Sequence, residues 1–337
     1  LNRKTQVACG VAVLVVAIGV LGWSLKIARW KWEPIALPER FARVPNDWSV
    51  QALAQRMEES KKIRDATTFE TAAARVGLKT VRAGGYLLPA KAGPLELAQL
   101  FARGPSHRKV TFPEGFTARQ IGARLQQNGF AAAPQLRTRA YPPHASTSPL
   151  EGTLFPDTYW MPLQANAPDL ITRLQTRYHE VAQTLPRPFP RGYQDKRLTL
   201  AEVTTLASLV ERETAIPSER ALVAGVLLKR LRERMRLQCD ASVQYALQLA
   251  AHERGDFSHQ IVKRKDYKFA SPYNTYLNYG LPPAPICNPG KEALMAAARP
   301  KATEYLFYVW SPKLKRHRFA KTFVAHKHNI ALATQER

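Results

Sequence analysis

Residues 199–214 read TLAEVTTLASLVERET, and this stretch decides how the rest of the chain is read. Thr199 and Glu202 match a capping box, in which the Thr side chain satisfies one orphan backbone N–H and the Glu reaches back to another. A helix therefore starts here. Val203, Leu206, Ala207 and Val210 follow the three-four spacing of one buried face, and the same spacing continues to Glu213 and Thr214. A carboxylate thus ends a core stripe. Partial burial of such a group holds its proton by desolvation, moving it toward the range where it can protonate a leaving oxygen near neutral pH. Glu211 lies two positions back, and helical residues two apart do not face each other, so the two glutamates cannot form one catalytic pair. The helix alone equally allows both to be surface charges paired with Arg212 or Arg220.

Four segments rich in aromatic, Asn and Pro residues surround this helix in sequence: 150–159, 235–240, 271–276 and 280–283. Such side chains stack on sugar rings and hydrogen-bond hydroxyl and acetamido groups, although each segment could also be a turn around a packed aromatic. Further out, Tyr305 to Trp310 followed by His317-Arg318-Phe319 reads as a late hairpin. Upstream, Asp47 or Ser49 can cap a helix carrying Val50, Leu53, Ala54 and Met57, with a second helix over 68–76. Gly84 to Pro89 reads as turn, strand and stop, and Pro94 to Phe101 as a further helix. A strand at 109–112 leads to Thr117, a cap for a helix with Ile121 and Leu125 on one face. Residues 132–149, with four prolines, read as an irregular connection. No internal repeat or low-complexity tract is present, and the class is mixed α+β.

The chain has 337 residues, 45% of them hydrophobic, enough for more than one cored domain. Lys and Arg number 50 against 26 Asp and Glu, a net charge of +24, which favours anionic partners without choosing among them. Residues 7–25 carry no charge and suit a membrane-spanning helix better than a cleaved leader, with Trp23, Trp30 and Trp32 placed for an interfacial belt. The expected organisation is a short head at 1–6, an anchor at 7–25, a Pro-punctuated connector at 26–45, a small module at 46–107 and a larger α+β domain at 108–337. Cys239 and Cys287 read as buried thiols more readily than as a disulfide.

Taken in order and spacing, these segments resemble the endolytic murein transglycosylase family, the YceG-like proteins. The resemblance rests on the single N-terminal anchor, a LysM-like module before Pro113-Glu114-Gly115, the Glu151-Gly152 to Tyr159 stretch and Leu206 to Thr214. It continues through Met235 to Asp240, Tyr273-Asn274-Thr275-Tyr276, Gly280-Leu281-Pro282-Pro283 and Asn288-Pro289-Gly290. It implies a lyase that cuts the β-1,4 bond between N-acetylmuramic acid and N-acetylglucosamine and leaves a 1,6-anhydro end. One carboxyl suffices for that reaction. By analogy with the Glu-Ser pair of other lytic transglycosylases, Glu213-Thr214 supplies the acid. Asp240, Tyr273 and Asn274 are then expected in the sugar groove, with Gln238, Tyr276 and Glu211 as further substrate-side residues. The resemblance also implies a body outside the cytoplasmic (inner) membrane, held there by one helix, with glycan strands as substrate and peptidoglycan synthases as partners.

Three other readings compete. A wall-binding scaffold would ignore replacement of Glu213. A hydrolase would use Asp157 or Asp240 opposite Glu213, since classical glycosidases need two facing carboxylates. A nucleic-acid binder rests on charge alone, and no nucleic-acid partner is expected because the cations are spread without a recognised motif. No metal-ligand cluster, phosphate loop or nucleotide fingerprint is present, so no cofactor or metal is expected.

Overall fold

The computed structural model describes the backbone of residues 3–37, 39–140, 148–253 and 262–336, and their side chains except at 3–13, 137, 140, 252 and 253. The class is mixed α+β, and the chain divides into two compact units, Leu1–Lys109 with Tyr159–Leu163 and Val110–Thr158 with Gln164–Arg337.

The first unit opens with helix α1 (Arg3–Trp32). Much of the anchor expected at 7–25 falls on side chains outside the described residues, and among the described residues no helix is long and apolar enough to cross a membrane. From Leu14 to Leu25 the large apolar side chains that are described lie exposed. Strand β1 (Phe41–Val44) follows, then helices α2 (Val50–Glu59) and α3 (Ala66–Arg75). Ser49 caps α2 by accepting from the Ala52 N–H. Helix α3 starts two residues before the expected Thr68, because Asp65 supplies the cap and accepts from both Thr68 N and Thr68 Oγ1. Strand β2 (Gly84–Leu87) and helix α4 (Pro94–Arg103) complete a core around Phe69, Tyr86, Leu97 and Phe101. With β3 (His107–Thr111) and, after an excursion of the chain, β4 (Thr158–Pro162), the strands make a sheet in the order β1-β2-β3-β4.

The second unit is mostly helical. Helix α5 (Ala118–Gln127) carries the Thr117 cap with Gln120 closing the box. Within the stretch expected to be irregular there is instead a helix, α6 (Ala133–Ala140). Its apolar side chains Ala133 and Leu136 are fully buried, and Pro134 falls in the first turn, where its missing N–H costs nothing. Residues 141–147 of that connection lie outside the described residues. Helix α7 (Ala167–Gln183) leads to α8 (Leu200–Glu213), whose Thr199–Glu202 capping box forms as expected. Every residue from Val203 to Val210 is buried, so α8 is a central helix rather than a one-faced one. It packs on α9 (Pro217–Arg232), α10 (Asp240–Glu253) and α11 (Lys291–Ala298). The late hairpin forms as β5 (Phe307–Ser311) paired antiparallel with β6 (Arg316–Ala320), and α12 (Phe323–Gln335) closes the chain.

Two fasteners set the position of α9. Lys301 N donates to Ala221 O at 2.8 Å, and Gly225 lets the Lys301 carbonyl approach so closely that an added Cβ would sit 2.0 Å from it. Gly225→Ala therefore tests packing against propensity. Alanine gains roughly 1 kcal/mol in helix propensity, but the clash is with backbone that cannot rotate away and overpacking costs roughly 1–3 kcal/mol. A lower thermal midpoint is expected. An unchanged or raised midpoint would mean that the 301 segment is not seated on α9.

Candidate active site

Helix α8 ends at Glu213 because Thr214 turns to extended geometry (φ −141°, ψ 128°) and Pro217 opens the next helix. The residue before proline, Ile216, is held out of the helical region (φ −91°, ψ 111°), and Pro at the first helical position is pre-organised for the following helix. Glu213 thus projects from the final turn of a buried helix, where the aligned peptide dipoles disfavour negative charge.

Part of Glu213 reaches solvent, yet its carboxyl sits in a crowded recess. Desolvation raises its pKa to about 7, and the charge of Asp240 pushes in the same direction. Opposing them, Tyr308 Oη donates to Glu213 Oε2 at 3.0 Å, the Ala241 backbone N–H donates to the carboxyl, and Arg230 adds positive charge. The group is therefore poised to hold a proton near neutrality while having donors ready for the anion. Tyr308 lies on β5 in a ring of aromatic contacts, edge-on to His317 at 5.5 Å. The Nδ1 of His317 is 2.6 Å from buried Glu219, which also accepts the His317 N–H. Burial and the nearby Glu213 hold the Tyr308 phenol far above its ordinary pKa, so it serves as a neutral donor.

The 235–239 loop leads into Asp240 and Ala241 beside Glu213 and is joined to a second loop. The 235–239 loop is anchored by Arg230, which donates to the carbonyls of Leu237 at 2.8 Å and Leu306 at 2.6 Å. Gln238 N donates to Thr275 O and Cys239 N to Thr275 Oγ1, at 3.1 and 2.9 Å, tying this loop to the 271–278 loop. Gln238 is exposed and has φ +53°, a conformation that non-glycine residues rarely take and that tertiary contacts must hold. Asp240, also exposed, accepts from Tyr276 Oη at 2.6 Å, and the Tyr276 ring stacks on Tyr267 at 4.0 Å.

Of the residues named from sequence, Glu213, Asp240, Gln238 and Tyr276 converge through these helices and loops. Tyr273 and Asn274 do not reach the surface, at 1% and 0% exposure. Asn274 is consumed by its own loop, donating to Tyr267 O and Phe269 O and accepting from Tyr276 N. Glu211 points away from Glu213: its Oε1 takes Arg220 at 2.8 Å and its Oε2 takes the Gly290 N–H at 3.0 Å. Asp157 is paired with Arg177 at 3.0 Å. Cys239 and Cys287 are free buried thiols. Tyr308, Arg230 and the Ala241 N–H were not anticipated. Alternation within the hairpin, which places Tyr308 opposite Phe319 and Trp310 opposite His317, is the one sequence signal that singles out an aromatic face there.

A family model described as the YceG-like family matches residues 42–332. A Bacillus subtilis protein named endolytic murein transglycosylase is 27% identical over 312 residues, 82% of either chain. A Streptococcus pneumoniae protein of the same name is 26% identical over 86% of this chain, which spans only 57% of that longer protein. Among solved structures, a yceG-like protein of Listeria monocytogenes shares 27% identity with a TM-score of 0.54, covering 88% of this chain and 98% of that one.

Proposed function

The chain belongs to the YceG-like family, and on that premise we propose that it is an endolytic murein transglycosylase, a lyase of peptidoglycan, with Glu213 as its acid and base. The observation that carries this reading is the placement of the Glu213 carboxyl at the end of α8, desolvated and faced by Tyr308 Oη at 3.0 Å and the Ala241 N–H. Protonated Glu213 gives its proton to the glycosidic oxygen as the bond to C1 of the muramic sugar breaks. The substrate's own acetamido group, or the oxocarbenium character of the transition state, carries the positive charge. Glu213 is now a carboxylate, held by the two donors. It removes the proton from the C6 hydroxyl, whose oxygen closes onto C1 within the same sugar. One proton enters and one returns, and no water is consumed. Asp240, Tyr276 and Gln238 line the approach; Tyr273, Asn274 and Glu211 support it from beneath.

In this reading residues 46–107 act as a LysM-like module, 108–337 as the catalytic domain, and 7–25 as the anchor that holds the body outside the cytoplasmic membrane near peptidoglycan synthases. The exposed apolar run from Leu14 to Leu25 supports the anchor. Purified strands incubated with the protein should shift to mid-length fragments with 1,6-anhydro ends; a ladder of disaccharides would make the cut terminal rather than internal, and intact strands would favour a binding role.

The effect of Asp240 on Glu213 favours one second reading, a hydrolase with Asp240 as base. The two readings differ in whether water is a reactant.

The Tyr308 donor gives a separate test. It favours the ionised form of Glu213, so Tyr308→Phe should raise the acid's pKa further. The alkaline limb of kcat/KM, where Glu213 loses its proton in the free enzyme, should then move to higher pH. A limb that stays in place would separate Tyr308 from the acid.

A further inference from the structure

Beside the loops of the active site, within the second unit, lies a cleft of about 960 Å³ lined in part by Tyr193, Lys196, Arg197, Arg234, Tyr279 and the Leu281–Pro283 edge. We infer that this cleft binds the acidic stem peptide of the strand, so that the protein reads peptide as well as sugar; the inference rests on the murein transglycosylase reading above.

Charge comes first. The cleft's cations, Lys196, Arg197 and Arg234, are exposed, and among the described residues none has a carboxylate partner. Glu202 is the one carboxylate on the lining, and it is committed to the α8 cap, accepting from Thr199 N at 2.7 Å and Thr199 Oγ1 at 2.9 Å. The guanidiniums are also pre-oriented. Arg234 lies over the Tyr193 ring at 5.2 Å, and Arg197 Nη1 donates to Phe189 O at 3.0 Å. Stacking and anchoring reduce the rotamer freedom lost when a carboxylate is bound.

Shape selects among anions. A bilayer presents its anions across a broad surface, whereas a short chain of carboxylates and small apolar side chains can lie within the cleft, between the cations and the Leu281–Pro283 edge. Position then links the cleft to the chemistry. Tyr279 on its lining is three residues after Tyr276, and three residues span at most about 11 Å. A stem attached to the sugar next to Glu213 is thus within the reach of the same loop.

The test uses the full chain on uncrosslinked strands that either carry their stems or have been stripped by an amidase. Stripping should raise the wild-type KM about tenfold with kcat unchanged, the value of one to two charge-assisted contacts at a partly exposed site. The Arg197→Ala/Arg234→Ala variant should show that raised KM on stem-bearing strands and the wild-type KM on stripped ones. Equal wild-type KM on both strands, or an equal loss in the variant on both, would overturn the inference. A second measurement does not need turnover. A soluble stem peptide should bind wild type, more weakly with added salt, and should fail to bind when its carboxylates are amidated or when the variant replaces wild type. Binding to anionic vesicles with none to the peptide would overturn it as well. Wild type that binds the peptide but cuts neither strand would sink the transglycosylase reading and leave the cleft assignment standing.

Discussion

Glu213→Gln is expected to lower kcat on glycan strands by about 10³-fold or more, with KM little changed. General acid–base catalysis by a positioned side chain supplies about 10²–10⁴-fold, and in the proposed mechanism one carboxyl serves both as acid for the leaving oxygen and as base for the C6 hydroxyl. The amide keeps the shape and can still meet Tyr308, so the fold should survive. Linkage predicts more. The folded pKa of Glu213 lies at about 7, above the ordinary 4.5, so between those values the folded state holds a proton that the unfolded chain has lost. Stability from this group therefore falls as pH rises through that window. The Gln variant does not carry that penalty, and its thermal midpoint should equal or exceed that of wild type at pH 8. A variant that keeps full turnover would remove Glu213 from the chemistry; one that loses both activity and its cooperative melt would show only a structural role.

The second large effect is expected at Glu211, and it is one of stability. Arg220 and Glu211 form a buried pair at 2.8 Å with side chains 10% and 6% exposed. Removing one partner of such a pair leaves an uncompensated buried charge and costs about 3–5 kcal/mol. Glu114 is 3.5 Å from the same guanidinium and can relieve part of it, so Glu211→Ala should fall near the lower end. The Gly290 N–H also loses its acceptor. Urea denaturation should show a clearly lower midpoint, while kcat per folded molecule at low temperature stays within a few-fold of wild type. The opposite pattern, a small change in stability with loss of turnover, would transfer the acid from Glu213 to Glu211.

Much of the fold is legible in the sequence where local chemistry and packing agree. The Thr199–Glu202 box, the Ser49 and Thr117 caps and the hairpin with its aromatic alternation all specify structure within a few residues. The helix at Ala133–Ala140 is not, because the four prolines of 132–149 outweigh a short run whose helicity comes from burial of Leu136. The site is legible only in part. Glu213 follows from helical spacing, and its separation from Glu211 follows from the angle between alternate residues. Motif residues are harder to sort. Glu151 and Asn288 lie in stretches as distinctive as any in the chain, yet Glu151 accepts from Ala118 N, Asn288 Nδ2 and Tyr245 Oη. They fasten loops in the interior. Tyr273 and Asn274 are sugar-binding types by chemistry, but whether a loop aromatic faces a groove or a core depends on the packing of α10, which no local pattern encodes. Tyr308 and Arg230 reach the site across long sequence separations, and nothing near them in the chain announces it.

In the proposed mechanism one carboxyl performs an intramolecular ring closure with no water as reactant. Cleavage of purified strands in water enriched in ¹⁸O, followed by mass spectrometry of the new ends, addresses it directly. The expected products are 1,6-anhydro ends that carry no label. Reducing ends bearing one ¹⁸O at the cut would contradict it and establish hydrolysis, with Asp240 the first candidate for the base.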